Sequence, residues 1–370
     1  MSANKPPFDG EWVRLNQLCM KGRSALRQKD LIDDGPYAVY GASGIIGSMS
    51  TFQNGARYVA VVKVGAGVGR ANLCSARTSV LGTMQALIPT EMVLPEYLLH
   101  LIRAMRLGDG FSGSTIPHIY FKDYGQRLVR YVSMADQERI VGMLGSIEDQ
   151  IDILHQQNER FDTLVKSRFV EMFGDGQWKR TALSEVADIQ GGLTKSGKRD
   201  LLPLKLPYLR VANVLRGTLY LDEVLEIGLT AAECEKNLLV EGDLLFVEGN
   251  GSADQIGRCA VWDGSIAPCV HQNHLIRVRF DERVLPVYAL AYFNAHDGRE
   301  QIVARAVNTS GLFTLSTGKV KALQMPLPPL PLQQKFADFV NNVDKSRYIV
   351  QQKIEKLQTL YDSLAQEYFG

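Results

Sequence analysis

The sequence predicts an α+β chain: two β-rich globular modules joined by two long helices that form an antiparallel coiled coil, the whole a tandem repeat with a pseudo-twofold relation. Three observations predict it. The final 38 residues, 333–370, align without a gap on 137–174. Both segments carry apolar residues at spacings that alternate four and three, the seam of a coiled coil. The stretches before them hold short β-rich runs broken by turn residues.

The repeat comes first, because missing one misassigns the whole fold. Between the two helical segments the offset stays at 196, and ten of the 38 paired positions are identical: Gln137, Ile153, Gln156, Glu159, Thr163, Leu164, Ser167, Glu171, Phe173 and Gly174. Ordinary composition would give about two or three. Upstream, shorter matches occur at growing offsets. Trp12-x-Arg14 pairs with Trp178-x-Arg180, Pro36-Tyr37 with Pro207-Tyr208, and Gly69-Arg70 with Gly257-Arg258. Leu87-Ile88 pairs with Leu275-Ile276, Leu94-Pro95-x-Tyr97-x-Leu99 with Leu285-Pro286-x-Tyr288-x-Leu290, and Ser114 with Ser310. Insertions into loops of the second copy would produce such growth. The implied domains are 1–134 and 175–331 for the modules, and 135–174 and 332–370 for the helices.

The first seam runs Ile140, Leu144, Ile147, Ile151, Leu154, Asn158, Phe161, Val165, Arg168 and Met172. The second runs Phe336, Val340, Val343, Arg347, Val350, Ile354, Leu357, Tyr361, Leu364 and Tyr368 in the same frame. Asn158, Arg168 and Arg347 are polar intruders of the kind that fix register at a cost in stability. A helix of this length spans about 55 Å at ~1.5 Å per residue, too long to lie on one small module. Burying about eight apolar side chains per helix, at ~1.5–3 kcal/mol each before entropy, favours mutual pairing.

Each module begins near a tryptophan and runs into a basic loop, Lys21-Gly22-Arg23-Ser24-Ala25-Leu26-Arg27-Gln28-Lys29 in one and Gly191-Gly192-Leu193-Thr194-Lys195-Ser196-Gly197-Lys198-Arg199 in the other. Strands are expected at 58–64, 86–88, 209–211, 244–247, 259–262 and 275–280. One helix per module should open at Pro95 or Pro286, the residue tolerated in a first turn.

Composition narrows the function classes. Lys and Arg number 41 against 40 Asp and Glu, so bulk charge neither announces nor excludes a nucleic-acid partner. The segments 136–174 and 333–370 hold 13 acids against nine bases, which leaves the modules net positive. Cys19, Cys74, Cys234, Cys259 and Cys269 form no C-x-x-C pair and read as reduced thiols of an intracellular protein. Residues 1–10 lack the apolar core of a secretory leader, and no run approaches the ~18 apolar residues of a membrane span. The expectation is a cytoplasmic chain with no membrane partner.

Several motifs are decoys. Gly192-Leu-Thr-Lys-Ser-Gly197-Lys198 imitates a phosphate-binding loop until Arg199, where a Ser or Thr should hold magnesium. Glycines 65, 67 and 69 miss the dinucleotide spacing, and Arg70 stands where the last glycine belongs. Cys259, Cys269, His271 and His274 have a zinc-like look, yet at an offset of 188 the first copy offers Thr83, Met84, Gln85 and Ala86 opposite 271–274. That alignment also sets Asn273 opposite Gln85, two amides suited to adenine. Asn4-Lys5-Pro6-Pro7-Phe8 faintly resembles the Asn-Pro-Pro-Phe loop of amino-methyltransferases, broken by Lys5. Nothing gives a positive reason to read an enzyme, so no catalytic or metal-binding residue is assigned.

A family resemblance follows from particular residues. The second copy runs Leu327-Pro328-Pro329-Leu330-Pro331-Leu332-Gln333-Gln334-Lys335-Phe336 into its helix and ends Gln366-Glu367-Tyr368-Phe369-Gly370. The first has Gln137-Glu138-Arg139-Ile140 and ends Glu171-Met172-Phe173-Gly174-Asp175, with Tyr37-Ala38-Val39-Tyr40-Gly41-Ala42-Ser43-Gly44-Ile45-Ile46-Gly47 upstream. In order, and with the duplicated helices, these resemble the DNA-specificity subunit of type I restriction–modification systems. The first copy departs at Val132-Ser133-Met134-Ala135, where a Pro-rich junction would stand.

The resemblance implies a non-catalytic subunit with two target-recognition domains. Each reads half of a split double-stranded DNA target, and the paired helices act as spacer. It implies docking of two adenine methyltransferase subunits and recruitment of restriction–translocase subunits. No cofactor is expected in this chain; S-adenosylmethionine, and ATP with magnesium, belong to the partners. An assembly scaffold without DNA readout is the alternative from another class. For phosphate positioning the candidates are Lys21, Arg23, Arg27, Lys29, Lys195, Lys198 and Arg199; for base reading they are Arg70, Gln85, His118, Arg210, Asn213, Arg258, Gln272 and Asn273. Protein partners are expected on helix surfaces outside the seam and near the two Phe-Gly ends, Phe369 included.

Overall fold

The computed structural model describes residues 8–110, 116–309 and 311–370. The pairing of Ser114 with Ser310, and Asn4 to Pro7, lie outside the described residues. The chain divides into two compact units, Met1–Gln156 with Val350–Gly370, and Gln157–Ile349. Each therefore contains one module and a piece of both long helices.

In the first unit a four-stranded antiparallel sheet has the order Cys19–Lys21, Met84–Pro89, Tyr58–Val62, Ala71–Cys74. Tyr58–Val62 is buried along its whole length, because both faces of this central strand are covered. Val59 and Val61 enter the core under the helix Pro95–Ala104, while Tyr58, Ala60 and Val62 enter a second core on the opposite face. That alternation is the period-two geometry of a strand. A three-stranded sheet follows, with Tyr37–Gly41 antiparallel to Gly44–Met49 and parallel to Ser79–Val80. Gly10–Arg14 pairs with Leu128–Val132.

The second unit repeats this topology. Its large sheet is ordered Ala187–Gly191, Leu275–Phe280, Leu244–Val247, Cys259–Val261. Its small sheet sets Leu204–Leu209 antiparallel to Leu225–Leu229 and parallel to Val270–His271. Leu244 and Phe246 alternate with Leu245 and Val247 between two cores. Among the described residues the second unit also has the helices Ala231–Asn237 and His296–Arg305, and its small sheet of Gly249–Asn250, Leu312–Thr314 and Val307–Thr309 stands where the first unit has the bridge Val64–His118.

Strand registers correct several pairings read from sequence. Arg14 lies opposite Leu128 as Ala182 lies opposite Gln324, so Trp12 corresponds to Arg180 and not to Trp178. Val39 pairs with Ser79 as Tyr208 pairs with Val270, which moves the Pro36-Tyr37 match by two residues. Val62 lies opposite Met84 as Val247 lies opposite Leu275. Met84 therefore corresponds to Leu275, Gly82 to Asn273 and Gln85 to Ile276, so Gln85 and Asn273 are not counterparts. The Gly-Arg match stands: Gly69 N and Gly257 N donate to Val62 O and Val247 O at 2.9 and 3.2 Å. Both glycines have positive φ, +86° and +59°, and a Cβ would meet Gly108 N at 2.3 Å or Ile302 Cγ2 at 2.5 Å.

The long helices are Met134–Phe173 and Leu330–Phe369. Ser133 caps the first, accepting from Asp136 N at 3.2 Å. In the first unit Ile140, Leu144 and Ile147 share a core with Tyr361, Ala365, Tyr368 and Phe369; in the second, Phe169 and Phe173 share one with Phe336. Within each unit, then, the start of one helix packs on the end of the other, the antiparallel sense. Two of the three expected register devices reach across this seam: Arg347 bonds Asp162 at 2.7 Å, and Arg168 lies 5.7 Å over the Phe339 ring, whereas the buried Oδ1 of Asn158 has no hydrogen-bond partner among the described residues.

Two duplicated residues fasten helix to module. Gln137 is 0% exposed; its Oε1 accepts from Leu94 N at 2.9 Å and its Nε2 donates to Met92 O and Val132 O at 2.9 and 3.1 Å. Gln333, also 0% exposed, does the same with Leu285 N, Arg283 O and Pro328 O. The Phe-Gly ends are core as well. Phe369 lies 5.2 Å from the Tyr97 ring and Phe173 lies 4.8 Å from Tyr288. Phe369 is thus buried and does not offer the docking surface expected of it.

Candidate nucleic-acid interface

Both units hold the basic loop in the same way. In the first, Gly82 N donates to Leu26 O at 2.7 Å and Leu81 N to Tyr40 O at 3.1 Å. This ties the 21–29 loop and the small sheet to one turn. In the second, Asn273 N donates to Leu193 O and Gln272 N to Leu209 O, each at 2.9 Å. The loop with Lys195 and Lys198, the residue Arg210 and the pair Gln272-Asn273 thereby converge.

The predicted residues divide on burial. Lys21, Arg23, Lys29, Lys195 and Lys198 are exposed and, among the described residues, have no ion pair. Arg27 is exposed beside Asp30, at 3.7 Å. Arg70 is exposed, its Nε 3.4 Å from Gly67 O. His118 is half-buried, bridged to Val64 and stacked 6.2 Å from Tyr120. Gln272 and Asn273 are half-buried, and among the described residues their side-chain amides make no hydrogen bond. Arg210 sits 3.4 Å from Glu223.

Four candidates are instead committed to the fold. Gln85 is buried and its Nε2 donates to Ala86 O and Gly22 O. Asn213 is buried; its Oδ1 accepts from Arg210 N, and its Nδ2 donates to Tyr220 O and Glu223 O at 2.8 and 2.9 Å. Neither amide has an N–H left to donate to a base. Arg199 grips Glu233 at 2.8 and 3.1 Å and donates to Thr194 O and Gly228 O. Arg258 donates to Val214 O and Val211 O at 2.6 and 2.9 Å.

Other cations emerge only in three dimensions. Lys63 is half-buried; burial and the Lys21 charge hold its ammonium below the usual lysine range. Two lysines in mutual repulsion, with no acidic partner among the described residues, suit an anion. Lys63 directly follows the strand Tyr58–Val62 and lies beside His118, since Ile119 N donates to Lys63 O at 3.0 Å. In the second unit Arg216 and Arg299 both donate to Asp254 O, Arg299 at 2.9 Å. Burial first, and Arg216 second, push Arg258 and Arg299 below their usual range. No spacing in the sequence signals these pairs, because strand register and an inserted loop bring them together. Among the described residues, no three His, Cys, Asp or Glu side chains form a metal cluster, and no helix is long and apolar enough to cross a membrane.

Residues 176–359 match the model of the type I restriction modification DNA specificity domain. That span is the second module with most of its helix, of which the first module is the internal copy. The chain belongs to the type I restriction–modification specificity-subunit family. Over 284 residues it is 22% identical to the Type I restriction enzyme EcoKI specificity subunit of Escherichia coli (strain K12), covering 70% of this chain and 59% of that protein. Over 307 residues it is 23% identical to the StySPI specificity subunit of Salmonella potsdam, covering 76% and 65%. The chain thus spans 59% and 65% of these two curated relatives. Its fold matches the crystal structure of a type I restriction–modification S subunit from M. genitalium, with TM-score 0.54, 15% identity, and coverage of 100% of this chain and 98% of that one. A second structure, from work on complex assembly and conformational transition of the type I system, matches at TM-score 0.58 and 15% identity, covering 99% of each chain.

Proposed function

We propose that this specificity subunit reads a split duplex DNA target in the cytoplasm, one half-site per unit, and docks adenine methyltransferase subunits on its long helices. The observation that carries the reading is the repeated basic loop, tied in both units to the same turn by a backbone hydrogen bond, with a second bond tying the small sheet to that turn. Lysines and arginines on such a loop position phosphates, and polar side chains of the turn face base edges. Of the predicted residues, Lys21, Arg23, Arg27, Lys29, Arg70, His118, Lys195, Lys198, Arg210, Gln272 and Asn273 remain contacts in this reading, joined by Lys63, Arg216 and Arg299.

Docking is supported by what the repeat has kept. Seam residues have diverged: Phe161, Val165 and Arg168 correspond to Leu357, Tyr361 and Leu364. The opposite face has not. Thr163, Leu164, Ser167 and Glu171 are exposed in the second unit, and the identical Thr359, Leu360, Ser363 and Glu367 are exposed in the first. At 3.6 residues per turn these form one stripe on each helix, away from the seam. A duplicated chain that presents the same stripe twice suits two copies of one partner. S-adenosylmethionine then belongs to that partner, and ATP with magnesium to a restriction–translocase subunit where DNA is cut.

The test is co-expression with the neighbouring methyltransferase and mapping of methylated adenines. The expected result is a split motif with a constant gap. A contiguous motif, or complex assembly without salt-sensitive duplex binding, would overturn the reading; the latter would favour a scaffold.

A further inference from the structure

We infer that Arg77 is a pre-organised DNA contact of the first unit, offering its guanidinium fork to paired oxygen or nitrogen acceptors of the duplex, on a guanine edge or a phosphate. The inference rests on the DNA reading above. Arg77 lies between Ala71–Cys74 and Ser79–Val80, exposed, with a left-handed backbone of φ +59°. That region disfavours any residue with a Cβ, and strain of this kind collects at functional positions.

The side chain is held nonetheless. Nη2 donates to Tyr37 Oη at 2.8 Å, and the guanidinium carbon lies 5.3 Å from the Tyr37 ring centroid and 5.5 Å from that of Phe52. The two rings meet edge to face at 5.0 Å. No carboxylate among the described residues pairs with it, so most of the fork stays uncommitted.

The backbone beside it is fixed too. Thr78 and Asn54 exchange backbone hydrogen bonds of 3.0 and 3.2 Å, and Tyr58 Oη meets Thr78 Oγ1 at 3.0 Å. The buried Asn54 amide accepts from Arg23 N at 3.1 Å and donates to Arg23 O at 3.2 Å. One amide thus couples the Arg77 turn to the loop proposed to grip phosphates. An arginine already immobilised loses little further entropy on binding. Supporting two surface rings would not by itself require an exposed fork on left-handed backbone.

The experiment uses the full chain, fluorescence anisotropy on a duplex carrying the mapped motif across a salt series, and methylation mapping with the partner. Arg77→Gln should weaken binding about tenfold or more. A phosphate contact would lower the salt slope by about 0.9, with Arg77→Lys retaining it and the motif unchanged. A guanine contact would relax one position of one half-site, unrescued by lysine. Arg77→Gly relieves the backbone, so it should stay folded in a thermal melt and still lose binding. Wild-type affinity, slope and motif in both Arg77→Gln and Arg77→Gly would overturn the assignment alone. Absence of salt-sensitive binding by the unsubstituted chain would overturn the DNA reading beneath it.

Discussion

Gln333 offers the sharpest test of how helix and module are joined. Its Oε1 accepts from Leu285 N at 2.9 Å, and its Nε2 donates to Arg283 O and Pro328 O at 3.0 and 2.9 Å, with the glutamine itself 0% exposed. Truncation in Gln333→Ala removes three hydrogen bonds at ~1 kcal/mol each and leaves one donor and two acceptors without partners. The expected loss is about 3–5 kcal/mol. Gln333→Glu is nearly isosteric and more diagnostic. It keeps an acceptor for Leu285 N but sets a second oxygen against two carbonyls. Burial and those dipoles must raise its carboxyl above the ordinary ~4.3. A carboxyl whose folded pKa is raised destabilises once both states are ionised, and the penalty shrinks as pH falls through the raised value. Urea unfolding by tryptophan fluorescence reads this directly, because Trp262 is buried in the same unit. The reasoning is refuted if Gln333→Ala stays within about 1 kcal/mol of the parent, or if Gln333→Glu regains nothing relative to it on acidification.

Four further outcomes follow from the geometry. Lys63→Gln and Lys21→Gln should each reduce the salt slope of duplex binding by about 0.9, whatever the DNA sequence; unchanged slopes would remove the lysine pair from the interface. Leu164→Glu with Leu360→Glu should abolish methyltransferase capture in a pull-down without shifting the melt, whereas Phe369→Asp should lower the melt itself, its ring being core. A double-mutant cycle on Arg347 and Asp162 should give a coupling of only about 0.2–1 kcal/mol, since that pair is 30% and 60% exposed. The Arg199 hydrogen bonds, then the Thr230 backbone, hold Glu233 down to about 2, so its stabilisation is present above the ordinary ~4.3 and is lost as pH falls towards 2. Arg199→Ala should flatten that acid limb in a pH series of thermal melts, and an unaltered limb would show that the pair contributes nothing.

Helices and sheets differ in how much of the repeat their sequences disclose. A single residue inserted in a helix rotates everything beyond it by about 100° and breaks the seam, so the offset of 196 holds from Gln137 to Gly174 and is readable by eye. Sheets absorb insertions in their loops, and each strand must be aligned afresh. Two upstream matches, at Trp12 and at Pro36-Tyr37, miss by two residues, a slip that keeps every side chain on its face and so leaves the alternation pattern intact. The match at Leu87 misses by three, an odd slip that exchanges faces. That odd slip is why Gln85 resembles a turn amide beside Asn273 when it is an interior strand residue bonded to backbone carbonyls. The same limit governs the site. Exposed loop lysines can be read from local composition, but whether an arginine faces DNA or caps a turn depends on which carbonyls the fold leaves unpaired nearby. Arg258 finds Val211 O and Val214 O in an inserted segment of the second copy, whereas Arg70, its counterpart after the same left-handed glycine, finds no such segment and stays exposed. Two residues with one ancestral position thus end up one exposed and one tied to the fold, and the inserted loop decides between them.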